Sequence, residues 1–234
     1  MKLQLLRLLK LQRNNQIRFI LSAWGIPQAL FFTFTRVNSS MKKFLVVGLG
    51  NIGPEYAETR HNIGFRVADQ LVQDLGGSFE SQKLGSVAWT KLKGQSIVVL
   101  KPNTYMNLSG KSVNYWMQQE KIPLEQILVI TDDIHLPFGT FRIKASGTHG
   151  GHNGLRHIQE TLNTAQYDRF RFGVGAEFGA GKQVDYVLGQ WTAHEQIGLA
   201  IRMDSAVEAI KTWALEGSSR AMNRFNGPMP EPGV

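Results

Sequence analysis

Phe44-Leu-Val-Val-Gly-Leu-Gly-Asn-Ile-Gly53 is the stretch on which the fold turns. Four apolar residues, two of them β-branched, run into glycines, which predicts a buried strand followed by a loop. Its literal G-x-G-x-x-G, Gly48 to Gly53, invites a dinucleotide-binding reading. That reading needs the loop to pass straight into a helix whose N–H groups hold a pyrophosphate, and an acid about 20 residues on, closing a second strand. Here Pro54, Tyr56, Thr59, Arg60, His61 and Asn62 intervene before helical periodicity begins at Phe65, and Asp69 and Asp74 fall inside the periodic stretch. The strand stands and the nucleotide is set aside.

Outward from this strand the pattern repeats. Phe65, Ala68, Leu71, Val72 and Leu75 keep the spacing of one helix face. Ile97-Val-Val-Leu100 and Ile127-Leu-Val-Ile130 are further continuous apolar runs, closing on Lys-Pro-Asn and Thr-Asp-Asp, with a helix suggested between them by Val113, Trp116 and Met117. Such alternation predicts an α/β domain with a largely buried sheet. Phe138–Lys144 and Phe170–Val174 alternate instead, predicting strands with one wet face that carries Arg142, Lys144, Arg169 and Arg171. Thr192-x-x-Glu195 is a capping box that opens a helix stopped by Gly217.

Composition limits the function classes. The chain has 234 residues and no cysteine, which excludes a disulfide scaffold, a thiol nucleophile and thiolate zinc sites. Its 26 basic and 18 acidic residues give +8, but residues 1–40 hold six basic and no acidic ones, so the remainder is only +2. A general nucleic-acid reading from net charge therefore fails, and any such contact has to be local. Phe19–Thr35 is uncharged but only 17 residues long and broken by Gly25 and Pro27, too short for a spanning helix, so no membrane association is expected. No small-x-small cleavage site closes it. Met41-Lys-Lys leads directly into the first strand, so Met41 reads as the start of the functional protein, with an organellar presequence as the alternative. The expected organisation is an N-terminal extension 1–40, one domain 41–226 and a frayed tail 227–234.

The polar residues collect where apolar runs end: Asn51 to Asn62 after the first, Lys101 to Asn107 after the second, Thr131-Asp-Asp133 after the third, and Gly147 to Gly154 after the alternating segment. α/β proteins place their sites at such strand ends. The set offers imidazole, carboxylate and carboxamides without a nucleophile-elbow serine, which points to activated water and not to a covalent intermediate.

Three blocks, Gly48-Leu-Gly-Asn-Ile-Gly-Pro-Glu-Tyr-Ala-Glu-Thr-Arg-His-Asn-Ile-Gly-Phe65, Lys101-Pro-Asn-Thr-Tyr-Met-Asn-Leu-Ser-Gly-Lys111 and Gly150-Gly-His-Asn-Gly-Leu-Arg156, closely resemble the signature blocks of bacterial-type peptidyl-tRNA hydrolases. The resemblance spans about Met41 to Asn226. It implies a monomeric, cytoplasmic α/β enzyme, a single domain with a twisted mixed sheet flanked by helices. Such an enzyme cleaves the ester between a peptide and the 3′-terminal ribose of tRNA, without metal or other cofactor. By that resemblance His61 is the base and Asp132 its partner; Asn51, Asn107 and Asn153 position carbonyl, water and oxyanion; Tyr56 and Met106 wall the groove. Arg142, Lys144, Arg171 and Lys182 would hold the acceptor stem, and Gly147–Gly154 would form a lid. Ile52 replaces the family's usual proline, and His135 replaces a second acid found after the catalytic carboxylate in many members.

Plainer readings stay open at this level. Asp132 can end a strand by capping a turn, and Asn107 and Asn153 can cap helices. Arg142, Lys144, Arg169 and Arg171 can simply solubilise an exposed sheet face. His149, His152 and His157 suggest a metal, but neither cysteine nor a well-spaced acid accompanies them. The competing function is a catalytically silent RNA-binding relative, such as a splicing cofactor.

Overall fold

The structure, a computed structural model, describes residues 41–228; the expectations for 1–40 and for the tail beyond Pro228 lie outside the described residues. In chain order the elements are β1 (Lys43–Gly48), α1 (Ile63–Asp74), β2 (Glu80–Gln82), β3 (Gly85–Leu92), β4 (Gln95–Pro102), α2 (Ser109–Gln119), β5 (Ile127–Asp133), β6 (Phe141–Lys144), α3 (Asn153–Leu162), β7 (Asp168–Gly173), α4 (Gln183–Val187), α5 (Ala193–Glu216) and α6 (Ser218–Phe225). The seven strands form one mixed sheet in the order β2-β3-β4-β1-β5-β7-β6. β1 lies parallel between β4 and β5, β7 extends the parallel set, and β3 and β6 join antiparallel on the two sides.

Both faces of this sheet are covered, which is why its inner strands read as unbroken apolar runs. Along β1, Phe44 and Val46 pack with α1, α5 and α6, while Leu45 and Val47 pack with α2 and α3. Leu45, Val46 and Val47 are wholly buried, each worth roughly 1.5–3 kcal/mol of transfer free energy. Among the described residues no helix is long and apolar enough to cross a membrane.

The glycine motif after β1 has a packing origin. A Cβ on Gly48 would lie 2.2 Å from the Gly64 carbonyl oxygen, and one on Gly64 would lie 2.4 Å from that of Leu49. Paired glycines thus let the start of α1 cross directly over the end of β1. Between them the chain makes two single 3-10 turns, Pro54–Tyr56 and Arg60–Asn62, in place of a phosphate-binding helix.

Four expectations need correction. The face of β7 expected to be wet is largely covered: Arg171 is part-buried, and Arg169 is 2% exposed, because its guanidinium donates to the Thr148 and Ala165 carbonyls and stacks on Tyr167. His152, not Asn153, caps α3, accepting from the Gly154 and Leu155 amides through Nδ1. Asn107 caps nothing; α2 begins without a side-chain cap. The fold also continues past Asn226, whose carboxamide brackets the Ile143 backbone, to Gly227, which pairs with Phe141.

Candidate active site

The C-terminal ends of β4, β1, β5 and β7 lie side by side, and a cavity of about 340 Å³ opens over them. Asn51 and His61 reach it from the loop after β1, Met106 from the loop after β4, Asp132 from β5, and His152 and Asn153 from the turn into α3. The Asn51 backbone is clamped by Asn62, whose Oδ1 accepts from the Asn51 amide at 2.8 Å and whose Nδ2 donates to its carbonyl at 2.9 Å. Asn62 is itself buried, so the loop bearing both Asn51 and His61 is held from inside.

Asp132 is the electrostatic centre. Its Oδ1 takes two imidazole nitrogens, Nδ1 of His61 at 3.0 Å and Nε2 of His152 at 3.1 Å, with the ring centroids 5.1 Å apart. Burial alone would favour the neutral acid, but the His61 imidazole and the hydrogen bond from His152 outweigh it and hold the carboxyl well below the usual carboxylate range. Asp132 is therefore an anion that only accepts. His61 Nδ1 carries the proton it donates, and Nε2 is left as the basic lone pair. Burial pushes the His61 pKa down, while the Asp132 charge and hydrogen bond push it up and prevail, so it lies above its ordinary value.

His152 is locked in the opposite tautomer. Its Nδ1 accepts two backbone amides at the N-terminus of α3, which forces the proton onto Nε2 and aims it at Asp132. The ligating atoms of His61, Asp132 and His152 lie within 4.8 Å of one another, the one such group among the described residues. A metal there would have to displace the His152 Nε2 proton and so disrupt the helix cap; the arrangement is built for hydrogen bonding. The other candidate histidines go elsewhere: His149 Nδ1 accepts the Gly151 amide, and His157 Nδ1 accepts the Gly110 amide and ties α3 to α2.

The cations divide into two kinds. Arg142 and Lys144 are exposed on β6, the edge strand, and have no acidic partner among the described residues. Arg171 is paired with Asp133, and the exposed Lys182 sits 3.1 Å from Asp185. Tyr56 lies on the first 3-10 turn and Asn107 is exposed beside Met106; neither lines the cavity.

Sequence reasoning missed two residues here. One is His152, which the sequence offered only as a member of a glycine-rich block and as one of three histidines weighed for a metal. The other is Arg60, a buried cation next to His61 that donates to both Glu195 carboxylate oxygens and to the Gln190 carbonyl and stacks on Tyr186 and Trp191. It fastens the His61 turn to the segment between α4 and α5; the sequence showed it only as one polar residue of the loop, with nothing to link it to the capping-box Glu195.

The chain is similar to known proteins over most of its length. The family model described as peptidyl-tRNA hydrolase matches residues 45–232. The chain is 54% identical over 184 residues to a peptidyl-tRNA hydrolase of Cytophaga hutchinsonii, covering 79% of this chain and 98% of that relative. It is 52% identical to that of Porphyromonas gingivalis, covering 79% of this chain and all of that one. The crystal structure of peptidyl-tRNA hydrolase from Acinetobacter baumannii superposes with a TM-score of 0.77 at 34% identity, covering 82% and 98% of the two chains.

Proposed function

This chain belongs to the peptidyl-tRNA hydrolase family, and from that premise we propose that it cleaves the ester joining peptide to the 3′-terminal ribose of tRNA with His61 as general base. The observation that carries the assignment is the buried Asp132 carboxylate fixing Nδ1–H of His61 at 3.0 Å, so that Nε2 is the free base. Nε2 takes a proton from water as the water oxygen attacks the ester carbonyl. The resulting tetrahedral oxyanion is met by carboxamide N–H groups from Asn51 and Asn153, both of which line the cavity. The imidazolium, stabilised by Asp132, then returns the proton to the departing 3′ oxygen. Tyr56 and Asn107, each adjacent to a residue that borders a cavity, are assigned to the substrate's approach. An intact base with a locked tautomer favours hydrolysis over a silent RNA-binding role. A single chain supplies every one of these groups, so a monomer suffices, and the cytoplasm, where translation supplies the substrate, is the compartment this reading implies.

Release of labelled peptide from an N-blocked aminoacyl-tRNA tests the proposal. The base has to be neutral, and its pKa is raised from 6.5, so kcat/KM should climb with pH and level off through an inflection above 6.5. A flat profile from pH 5 to 8 would remove His61 from the role.

The acceptor stem is assigned to the β6 edge. Lys144→Ala and Arg142→Ala should each weaken tRNA binding and flatten the slope of log K against log salt by roughly 0.7–0.9 per lost phosphate contact. Fluorescence anisotropy at graded salt gives both quantities. Hydrolysis of a small ester substrate should be spared; equal loss on both substrates would show that the residues act through the fold. Arg171→Ala is the poorer probe, since it also frees Asp133.

A further inference from the structure

His61 sits in the middle of the single 3-10 turn Arg60–Asn62, and its side chain has one hydrogen-bond partner among the described residues, Asp132. Its 3.0 Å distance from that carboxylate is therefore set by whatever holds the turn. Asn62 holds one side, through its clamp on Asn51. Arg60, 6% exposed, holds the other. Its Nε and Nη2 donate to the two Glu195 carboxylate oxygens at 3.3 and 2.7 Å, and its Nη1 donates to the Gln190 carbonyl at 2.7 Å. Its backbone amide donates to the Gly189 carbonyl at 3.1 Å, and the guanidinium lies 4.4 Å over the Tyr186 ring.

These contacts close a circuit that begins and ends at Asp132. The carbonyl of Asp133, its neighbour on β5, accepts the Val174 amide at 3.0 Å, and the Val174 carbonyl accepts the Tyr186 hydroxyl at 2.7 Å. Tyr186 lies under Arg60, Arg60 adjoins His61, and His61 returns to Asp132. Both ends of the catalytic hydrogen bond are thus fixed to the same strand, one directly and one through Arg60. Glu195 adds a second anchor, since Oε2 also accepts the Thr192 amide at 2.7 Å and so caps α5. Stability alone does not call for such a cation, because apolar residues of similar volume often replace a buried ion pair at no loss. A lysine would neutralise Glu195 as well. What the guanidinium supplies, and neither alternative does, is several donors in one rigid plane.

We propose that Arg60 is a positioning residue for the hydrolysis, acting through His61 by holding its turn so that the imidazole stays against Asp132. The inference rests on His61 being the general base. Arg60→Gln should lower kcat on N-blocked aminoacyl-tRNA by about 10–100-fold, since a misplacement of about 1 Å at a reacting group costs up to about 10²-fold. KM should stay within about twofold. Arg60→Lys, which restores the charge but not the fork, should recover only part of the loss. The inflection in kcat/KM should move toward acid in Arg60→Gln, because an imidazole that drifts from Asp132 loses what raises its pKa. Loss of folded protein would scale that profile without moving it. Glu195→Gln keeps the capping box, where glutamine serves as glutamate does, and weakens the hold on Arg60. It should show the same two changes to a smaller degree, and it carries the test if Arg60→Gln does not fold. The decisive comparison is His61→Asn/Arg60→Gln, which should be no slower than His61→Asn alone, since a residue that acts through His61 has nothing left to act on. A further drop in that double variant, or an unmoved inflection in both Arg60→Gln and Glu195→Gln, overturns the positioning role. If His61→Asn by itself leaves kcat unchanged, it is the assignment of the base that falls, and this inference with it.

Discussion

Replacing His61 by asparagine is expected to lower kcat on N-blocked aminoacyl-tRNA by about 10²–10⁴, the range that a positioned general base contributes. The substitution removes the only free basic nitrogen beside Asp132, since the Nδ1 of His152 is occupied by two backbone amides and its Nε2 by its own proton. No neighbouring group can therefore take over. Asparagine keeps a polar N–H on the same turn, which limits the disturbance to Asp132, and the clamp of Asn62 on Asn51 is untouched. KM should move little, because the acceptor stem is assigned to β6, away from this substitution. Residual rate would reflect positioning and the carboxamides. A fall in kcat of less than tenfold, with tRNA binding intact, would show that water is activated elsewhere.

Much of this was legible in the sequence, for reasons that particular residues make plain. β1, β4 and β5 are covered on both faces, so Leu45, Val98 and Val129 had to be apolar and their runs unbroken. The strand ends named the residue types of the site, but not that four ends converge; that follows from the strand order. Arg169 deceived because alternation reports residue type and not environment. The carbonyls that make its burial tolerable come from Thr148 and Ala165, at positions no periodicity links to it. The Gly48–Gly53 motif mimicked a phosphate loop because a backbone crossing with Gly64 demands the same residue as a pyrophosphate contact would. His152 hid for a different reason: a ring nitrogen capping a helix lies outside the usual Ser, Thr, Asp and Asn signals. Its value to the site is its tautomer, which only the hydrogen bonds reveal.

Asp132→Asn is expected to lower kcat by about 10²–10³, as loss of a preorganised electrostatic partner does, and to shift the pH profile toward acid. Both imidazoles donate to the same oxygen of Asp132, and asparagine retains that acceptor, so the variant removes charge with little change in geometry. The sign of the shift follows from the opposing effects on His61. Burial lowers its pKa, and Asp132 raises it by charge and by hydrogen bond, with the raise prevailing. Without the charge, burial dominates, and the inflection in kcat/KM should fall from above 6.5 to below it. The variant would thus be slow at every pH yet keep a larger share of its own maximum at pH 5.5 than the wild type keeps. His152→Ala is the control: Asp132 still faces His61, so kcat should drop less than tenfold, and the acid shift should be absent. The double variant His61→Asn/Asp132→Asn should be no slower than His61→Asn alone, since a carboxylate that acts through an imidazole has nothing to act on once the imidazole is gone. An additive loss in that double variant, or an inflection that stays above 6.5 in Asp132→Asn, would mean that the carboxylate serves the reaction by some route other than His61.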